Sequence, residues 1–70
     1  MKRKTTDWIV IHMAHGCKRA EAIERRLTEE GYWVKLRAIG SGSPEEQFFE
    51  ILAQPSEARE AQQLILRAGL

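Results

Sequence analysis

The sequence predicts an α+β domain in which a three-stranded antiparallel sheet carries two helices on one face. Apolar and β-branched runs mark three strands, apolar residues at helical spacing mark two helices, and the order is β-α-β-β-α. The run Phe48–Ala53 is the longest apolar stretch, broken only by Glu50, and turn residues flank it on both sides. We therefore place this third strand between the other two, antiparallel to both, which gives the spatial order 1-3-2.

The first strand is predicted over Trp8–Met13, because this run is aromatic and β-branched. It follows residues 1–7, a polar stretch with Lys2-Arg3-Lys4, which we predict to be a flexible basic tail before a single domain over 8–70. The strand holds no proline or lysine, so we expect nothing in it to prevent a second chain from pairing with its outer edge. Alternation predicts an inward set of Ile9, Ile11 and Met13 and an outward set of Trp8, Val10 and His12.

The first helix is predicted over Cys17–Glu30, after a turn at Gly16, and Gly31 supplies a left-handed stop. The second strand is predicted over Tyr32–Ile39, where apolar and polar residues alternate. The helix carries its apolar residues on one stripe, namely Cys17, Ala20, Ile23 and Leu27. The outward set of the second strand is Trp33, Lys35, Arg37 and Ile39.

A glycine- and serine-rich loop, Gly40–Glu46, leads to the third strand. There Glu50 is predicted to face the same side as Lys35 and Arg37, where opposite charges on neighbouring strands attract. The predicted core set of this strand is Phe49, Ile51 and Ala53.

The second helix opens at Pro55, with Ser56 as its predicted cap, and ends at Gly69. Its apolar residues recur at helical spacing, so we expect them to face the sheet beside the first helix. The predicted buried stripe is Ala58, Ala61, Leu64, Ile65 and Ala68.

Composition excludes several classes of function. Eleven basic and ten acidic residues give a net charge of +1, so no global field attracts nucleic acid or an anionic membrane. No purely apolar run exceeds four residues, against the roughly 20 that a membrane helix needs. Lys2-Arg3-Lys4 is followed by polar residues rather than the apolar segment of a signal peptide. One cysteine permits no internal disulfide and fits a reducing compartment, so we expect a cytoplasmic protein.

The side of the sheet without helices is the candidate site, because so large an exposed apolar surface on a small domain usually marks an interaction site. Three occupants remain open: a second copy of the chain, another protein, or single-stranded RNA stacking on aromatic rings beside basic side chains. Near-neutral charge and the lack of an aromatic RNA-recognition signature count against RNA. The predicted partner-binding residues are Trp8, His12, Trp33, Lys35, Arg37, Phe48 and Leu52.

The residue pattern does not indicate catalysis or metal binding. His12, His15 and Cys17 lie within six residues, but zinc needs three or four ligands and a second cysteine–histidine cluster does not occur. The sequence shows neither a Ser-His-Asp order nor a positioned pair of carboxylates. We therefore predict no catalytic residue, no metal and no cofactor, and a non-catalytic binding or regulatory module.

The core positions resemble those of a known group of proteins. The matching segments are Trp8–Ile11, Ala20–Ile23, Leu27–Leu36, Phe49–Leu52 and Glu57–Ala61 with Leu64–Leu66. This pattern is similar to short bacterial proteins of the signal-transducing type, a domain of unknown function related in ferredoxin-like fold to the nitrogen-regulatory PII proteins. In PII proteins the loop between the second and third strands contacts targets, and Ile39–Glu46 takes that place here. The resemblance thus implies signal transduction through this loop, without the second β-α-β half that builds the PII nucleotide site.

Similar short proteins are sometimes labelled glutamate decarboxylase, an activity that these residues do not support. That enzyme holds pyridoxal phosphate through a buried lysine, a partner for the pyridinium nitrogen and a phosphate-binding cup. The lysines here fall in the basic tail, at a helix start and on the uncovered face, where seventy residues cannot enclose them. They are Lys2, Lys4, Lys18 and Lys35.

Overall fold

The computed structural model describes residues 7–70, and its elements follow the predicted order. They are strand β1 (Ile9–His15), helix α1 (Cys17–Glu29), strand β2 (Val34–Ile39), strand β3 (Phe48–Ala53) and helix α2 (Pro55–Ala68). The predicted α+β class is confirmed, and the bounds of β3 are those that the sequence indicated. The predicted basic tail lies, except for Asp7, outside the described residues.

The sheet has the order β1-β3-β2, and β3 runs antiparallel to both neighbours. This confirms the predicted 1-3-2 arrangement, which is ferredoxin-like in form. The central position explains the composition of β3, because a strand with neighbours on both edges and cover on both faces needs apolar residues on each side. Ile51, Leu52 and Ala53 are all buried, although successive residues point to opposite faces.

The main core lies between one face of the sheet and the two helices. Burial removes apolar surface from water at roughly 25 cal/mol per Å², so this layer is the principal source of stability. It joins side chains from all five elements, with Tyr32, Phe49 and Ala58 packed at its margin. The buried residues that form it are Ile11, Ala14, Ala20, Ile23, Leu27, Val34, Ile51, Ala53, Ala61 and Ile65.

The helix ends agree with the sequence in part. Gly69 closes α2 in the left-handed conformation and Gly31 follows α1 at a φ of 95°, as predicted. The N-terminus of α2 differs, since Gln54 is its cap residue and Pro55 takes the first helical position, so Ser56 is not the cap. Proline suits that position because its missing N–H would have no intrahelical partner there. The predicted stripe also ends early, because Ala68 is exposed.

Strand β1 contains a β-bulge that the alternation of the sequence did not predict. Its register with β3 shifts between Val10 and His12, so Ile11 is the extra residue. Beyond the bulge His12 pairs with Ile51 and Met13 pairs with Glu50. Residues directly opposite each other in an antiparallel pair share a face, so His12 lies on the helix side and Met13 on the other. The predicted outward position of His12 is therefore wrong, and so is the inward position of Met13.

The outer edge of β1 is better protected than the sequence suggested. The Gln62 side chain on α2 donates a hydrogen bond from Nε2 to the carbonyl oxygen of Ile11 at 3.1 Å, directly at the bulge. A bulge interrupts the regular array of N–H and C=O groups that a second strand would need. The prediction of an unguarded first edge is therefore wrong for the centre of β1.

Candidate docking surface on the open sheet face

The sheet face turned away from the helices carries four rows of side chains, set by the register of the strands. We call this surface the open face. From the C-terminal end of β3 to its N-terminal end, the rows are Trp8 with Trp33; Val10, Leu52 and Lys35; Met13, Glu50 and Arg37; and His15, Phe48 and Ile39.

The two tryptophans meet at one end of the open face. Trp8 directly precedes β1 and Trp33 directly precedes β2, and these two edge strands run parallel, so both indoles start from the same end of the sheet. Their ring centroids are 5.3 Å apart with an interplanar angle of 78°, the edge-to-face arrangement that aromatic pairs prefer. The pair therefore bridges the two edge strands across β3. The backbone N–H of Trp33 also donates to Oε1 of Glu57 on α2 at 3.1 Å.

Leu52 is buried on the open face rather than in the main core. It pairs in register with Val10 and Lys35 and is 2% exposed, yet it is not part of the helix-side cluster. The neighbouring side chains of its own face must therefore cover it, namely its row partners and the adjacent tryptophan row. The open face thus contains a second, smaller apolar cluster.

The cationic side chains in the middle of the open face already have partners. Nζ of Lys35 lies 4.6 Å from the centroid of the Trp8 ring, within the range of a cation–π interaction. Arg37 donates from Nε to Oε1 of Glu50 at 2.8 Å and from Nη2 to the same oxygen. This confirms the predicted cross-strand attraction. The side chain of Glu50 is 17% exposed and that of Arg37 is 59% exposed. Because the sheltered carboxylate is bonded to Arg37, its charge is largely neutralised within the sheet.

The other end of the open face is formed by His15, Phe48 and Ile39. The imidazole of His15 and the ring of Phe48 lie 4.7 Å apart between centroids and are inclined by 32°. Nε2 of His15 is 3.1 Å from the carbonyl oxygen of Glu46, a contact in which the nitrogen carries the proton and donates. Phe48 keeps 49% of its surface exposed. This end therefore presents an aromatic patch that continues into the preceding loop.

The Gly40–Glu46 loop is tied to the start of α1. The backbone N–H groups of Gly16 and Cys17 donate to the carbonyl oxygens of Gln47 and Pro44, at 2.8 and 3.0 Å. The side chain of Gln47 donates back to the carbonyl oxygen of Gly40 at 3.0 Å. Carbonyl groups of the chain itself thus accept from the N–H groups of the cap residue and of the first helical residue. The loop is held beside the His15 and Phe48 end of the open face.

Gly16, the cap residue of α1, lies close to this loop. Its φ is 91° and its ψ 144°, a conformation nearly restricted to glycine, and a Cβ there would lie 3.2 Å from the carbonyl oxygen of Glu45. We expect Gly16→Ala to lower the free energy of unfolding by about 2–3 kcal/mol. The measurement is urea unfolding followed by circular dichroism.

Gly31→Ala is the matched control for that substitution. Gly31 has nearly the same φ, 95°, but a Cβ there would meet nothing within 4 Å. We therefore expect it to lose only the conformational contribution, about 1 kcal/mol. Equal losses at the two positions would show that the contact of a Cβ with the carbonyl oxygen of Glu45 adds no cost beyond that of the positive φ.

Most residues of the predicted site lie together on the open face. These are Trp8, Trp33, Lys35, Arg37, Phe48 and Leu52. Leu52 is covered, so it supports the surface from below, and His12 lies on the helix side. Val10 and Ile39 were assigned to this face but not to the site, and Met13 and His15 were missed. The bulge explains these two omissions, because beyond Ile11 it moves each residue of β1 to the face opposite the one that simple alternation predicts. The nearby side chains are apolar or histidine, so their polarity does not reveal the shift.

Two further observations concern the described part of the chain. Within residues 7–70 no group of three histidine, cysteine, aspartate or glutamate side chains is placed to hold a metal ion. Over the same residues neither helix has the length and apolar character needed to cross a membrane.

Comparison of the chain with models of protein families, with curated proteins and with solved structures found no match. The resemblance to short signal-transducing proteins related in fold to PII therefore stays a prediction from the core residues.

Proposed function

We propose that this chain is a small non-catalytic binding module of the cytoplasm that docks another protein chain on its open face and the adjoining Gly40–Glu46 loop. A signal-transducing role agrees with the resemblance of its core residues. The observation that carries the proposal is the placement of exposed apolar side chains. Among residues 7–70, seven large hydrophobic residues are exposed, and five of them belong to the open face. These five are Val10, Met13, Trp33, Ile39 and Phe48.

The rest of the open face suits a protein partner. Interfaces between proteins favour aromatic residues and methionine at the centre and few unpaired charges. Trp33, Phe48 and Met13 supply the first feature, and the pairing of Arg37 with Glu50 supplies the second. The free thiol of Cys17 fits a reducing compartment.

Single-stranded RNA is the weaker candidate for this surface. Binding RNA needs aromatic platforms and cations that reach phosphate groups. The platforms exist, but the charge of Arg37 is already balanced by Glu50, which leaves Lys35 as the unbalanced cation of the face and weakens its attraction for a phosphate backbone. No observation favours RNA over protein.

Capture from cell lysate with three immobilised baits tests the proposal. The baits are the wild type, the double variant Trp33→Ser/Phe48→Ser and the control Leu66→Ser, which removes a residue 72% exposed on α2. We expect the wild type and the control to retain a common protein, and the double variant to retain it at least roughly tenfold less, as loss of aromatic anchors requires.

Two results would contradict the proposal. Equal capture by all three baits would show that the open face does not dock the protein. Loss of the captured material after ribonuclease treatment would instead support RNA as the ligand. Circular dichroism of each bait verifies that the variants are folded.

A further inference from the structure

Deepening the proposed function, on which it rests, we infer that the protein chain docked on the open face is a second copy of this chain, packed sheet against sheet. Both helices cover the opposite side, so the assembly has four layers: helices, sheet, sheet and helices. Three observations lead to this occupant, namely the apolar area of the face, its charge, and the state of the two sheet edges.

The apolar area of the open face matches what a stable dimer needs. Aromatic side chains offer roughly 150–250 Å² each. Since Trp33 is 65% exposed and Phe48 49%, these two present about 250 Å². Val10, Met13 and Ile39, each 39–50% exposed, add a similar area, for a total of about 500 Å². A standard interface covers about 800 Å² on each partner, and in homodimers roughly 65% of it is apolar, which is again about 500 Å².

The charge of the open face suits contact with an identical face. Two copies of one surface repel each other if that surface carries net charge, whereas a foreign partner can supply the opposite sign. Here Glu50 is neutralised by Arg37 within the same chain, and the one remaining cation, Lys35, is placed over Trp8. The open face therefore keeps one unbalanced positive charge, that of Lys35, so two copies repel each other only weakly and self-association is permitted.

The sheet edges offer poorer routes to a dimer. On β1, the bulge and the hydrogen bond from Gln62 to Ile11 interrupt the row of N–H and C=O groups with which a second strand would pair. Strand β2 has a regular register, but a second copy pairing antiparallel with it and centred on Leu36 would bring Lys35 of each chain opposite Arg37 of the other. Such pairs destabilise a sheet and are a common protection of edge strands. Packing of face on face avoids both obstacles.

Mass measurement in solution tests the inference. We expect the mass from light scattering to rise from the chain mass of 8.1 kDa to about 16 kDa, that of two chains, as the protein concentration increases from about 1 to about 200 µM. Met13→Lys and Phe48→Lys should stay at the mass of one chain over the same range. The new lysine at position 13 lies opposite Glu50, so the folded monomer tolerates it while burial in an interface does not. Leu66→Lys, on the outer side of α2, should form the dimer like the wild type.

A second measurement uses the wild type alone, in case a variant fails to fold. Acrylamide quenching of tryptophan fluorescence should fall several-fold over the concentration range in which the mass doubles, because the dimer covers Trp33. A wild type that stays monomeric at about 200 µM overturns the inference, and so does a dimer that persists in both face variants. A monomer that still captures a foreign protein through Trp33 and Phe48 refutes only the inference that the docked chain is a second copy. Capture that does not depend on these residues refutes the proposed function.

Discussion

Replacing Ile51 by alanine is expected to lower the free energy of unfolding by about 3–4 kcal/mol, the range found for truncating a large side chain in a tight core. Ile51 is fully buried in the central strand, opposite His12 on one side and Leu36 on the other. It faces both helices, so the cavity cannot close without moving several elements. A domain of 70 residues has a stability of about 4–10 kcal/mol, so the variant loses a large part of it.

Thermal and urea unfolding by circular dichroism measure this loss. The midpoint of thermal unfolding should fall by roughly 15–25 °C. All measurements need one protein concentration, since a dimer makes stability depend on concentration. Leu66→Ala, at a residue 72% exposed, is the control and should change stability by less than about 0.5 kcal/mol. A loss below about 1 kcal/mol for Ile51→Ala would contradict the central position of β3 in the core.

Replacing Leu52 by alanine is expected to cost about 2–3 kcal/mol, although Leu52 faces away from both helices. The reason is that Leu52 is only 2% exposed on that face, where Val10 and Lys35 are its register partners and the tryptophan row is adjacent. The loss should be smaller than for Ile51→Ala, because side chains at a surface relax into the space more readily than packed helices do. Urea unfolding measures both variants under the same conditions.

A double-mutant cycle of Leu52→Ala with Trp33→Ala tests whether the tryptophan row covers Leu52. If it does, the two losses should be non-additive by about 0.5–1 kcal/mol, since each change removes part of the same cluster. Leu52→Ala combined with Leu66→Ala is the control pair and should be additive, because the second residue lies on the outer side of α2. Additivity in both pairs would show that Trp33 does not stabilise Leu52.

The strands and helices could be predicted because their signals are local. Turn residues on both sides of Phe48–Ala53 and its apolar run indicated a strand with cover on both faces, and the structure places it in the centre. The spacing of Ala20, Ile23 and Leu27 indicated the buried stripe of α1, and all three are buried. Each of these signals depends on residues within a few positions of each other.

Other features could not be predicted because they arise between distant parts of the chain. The bulge at Ile11 follows from the fit of β1 to β3, and alternation could not reveal it where Ile9, Val10 and Ile11 are all apolar. The contact of Trp8 with Trp33 needs the two edge strands to be placed first. The attachment of the Gly40–Glu46 loop to Gly16 uses backbone groups, which leave no trace in side-chain patterns.

The hydrogen bond from Gln62 to Ile11 spans 51 positions of sequence, which bears on synthesis of the chain. Proteins leave the ribosome from their N-terminus, so Ile11 emerges well before α2. During that interval the carbonyl group at the bulge has no side chain to accept from, and the apolar first strand is open to pairing with other nascent chains. In the wild type the exposure ends once α2 has folded, whereas replacing Gln62 by alanine leaves that carbonyl group without its side-chain donor afterwards as well, so the variant should lose more chain to aggregates when cells make the protein at high local density.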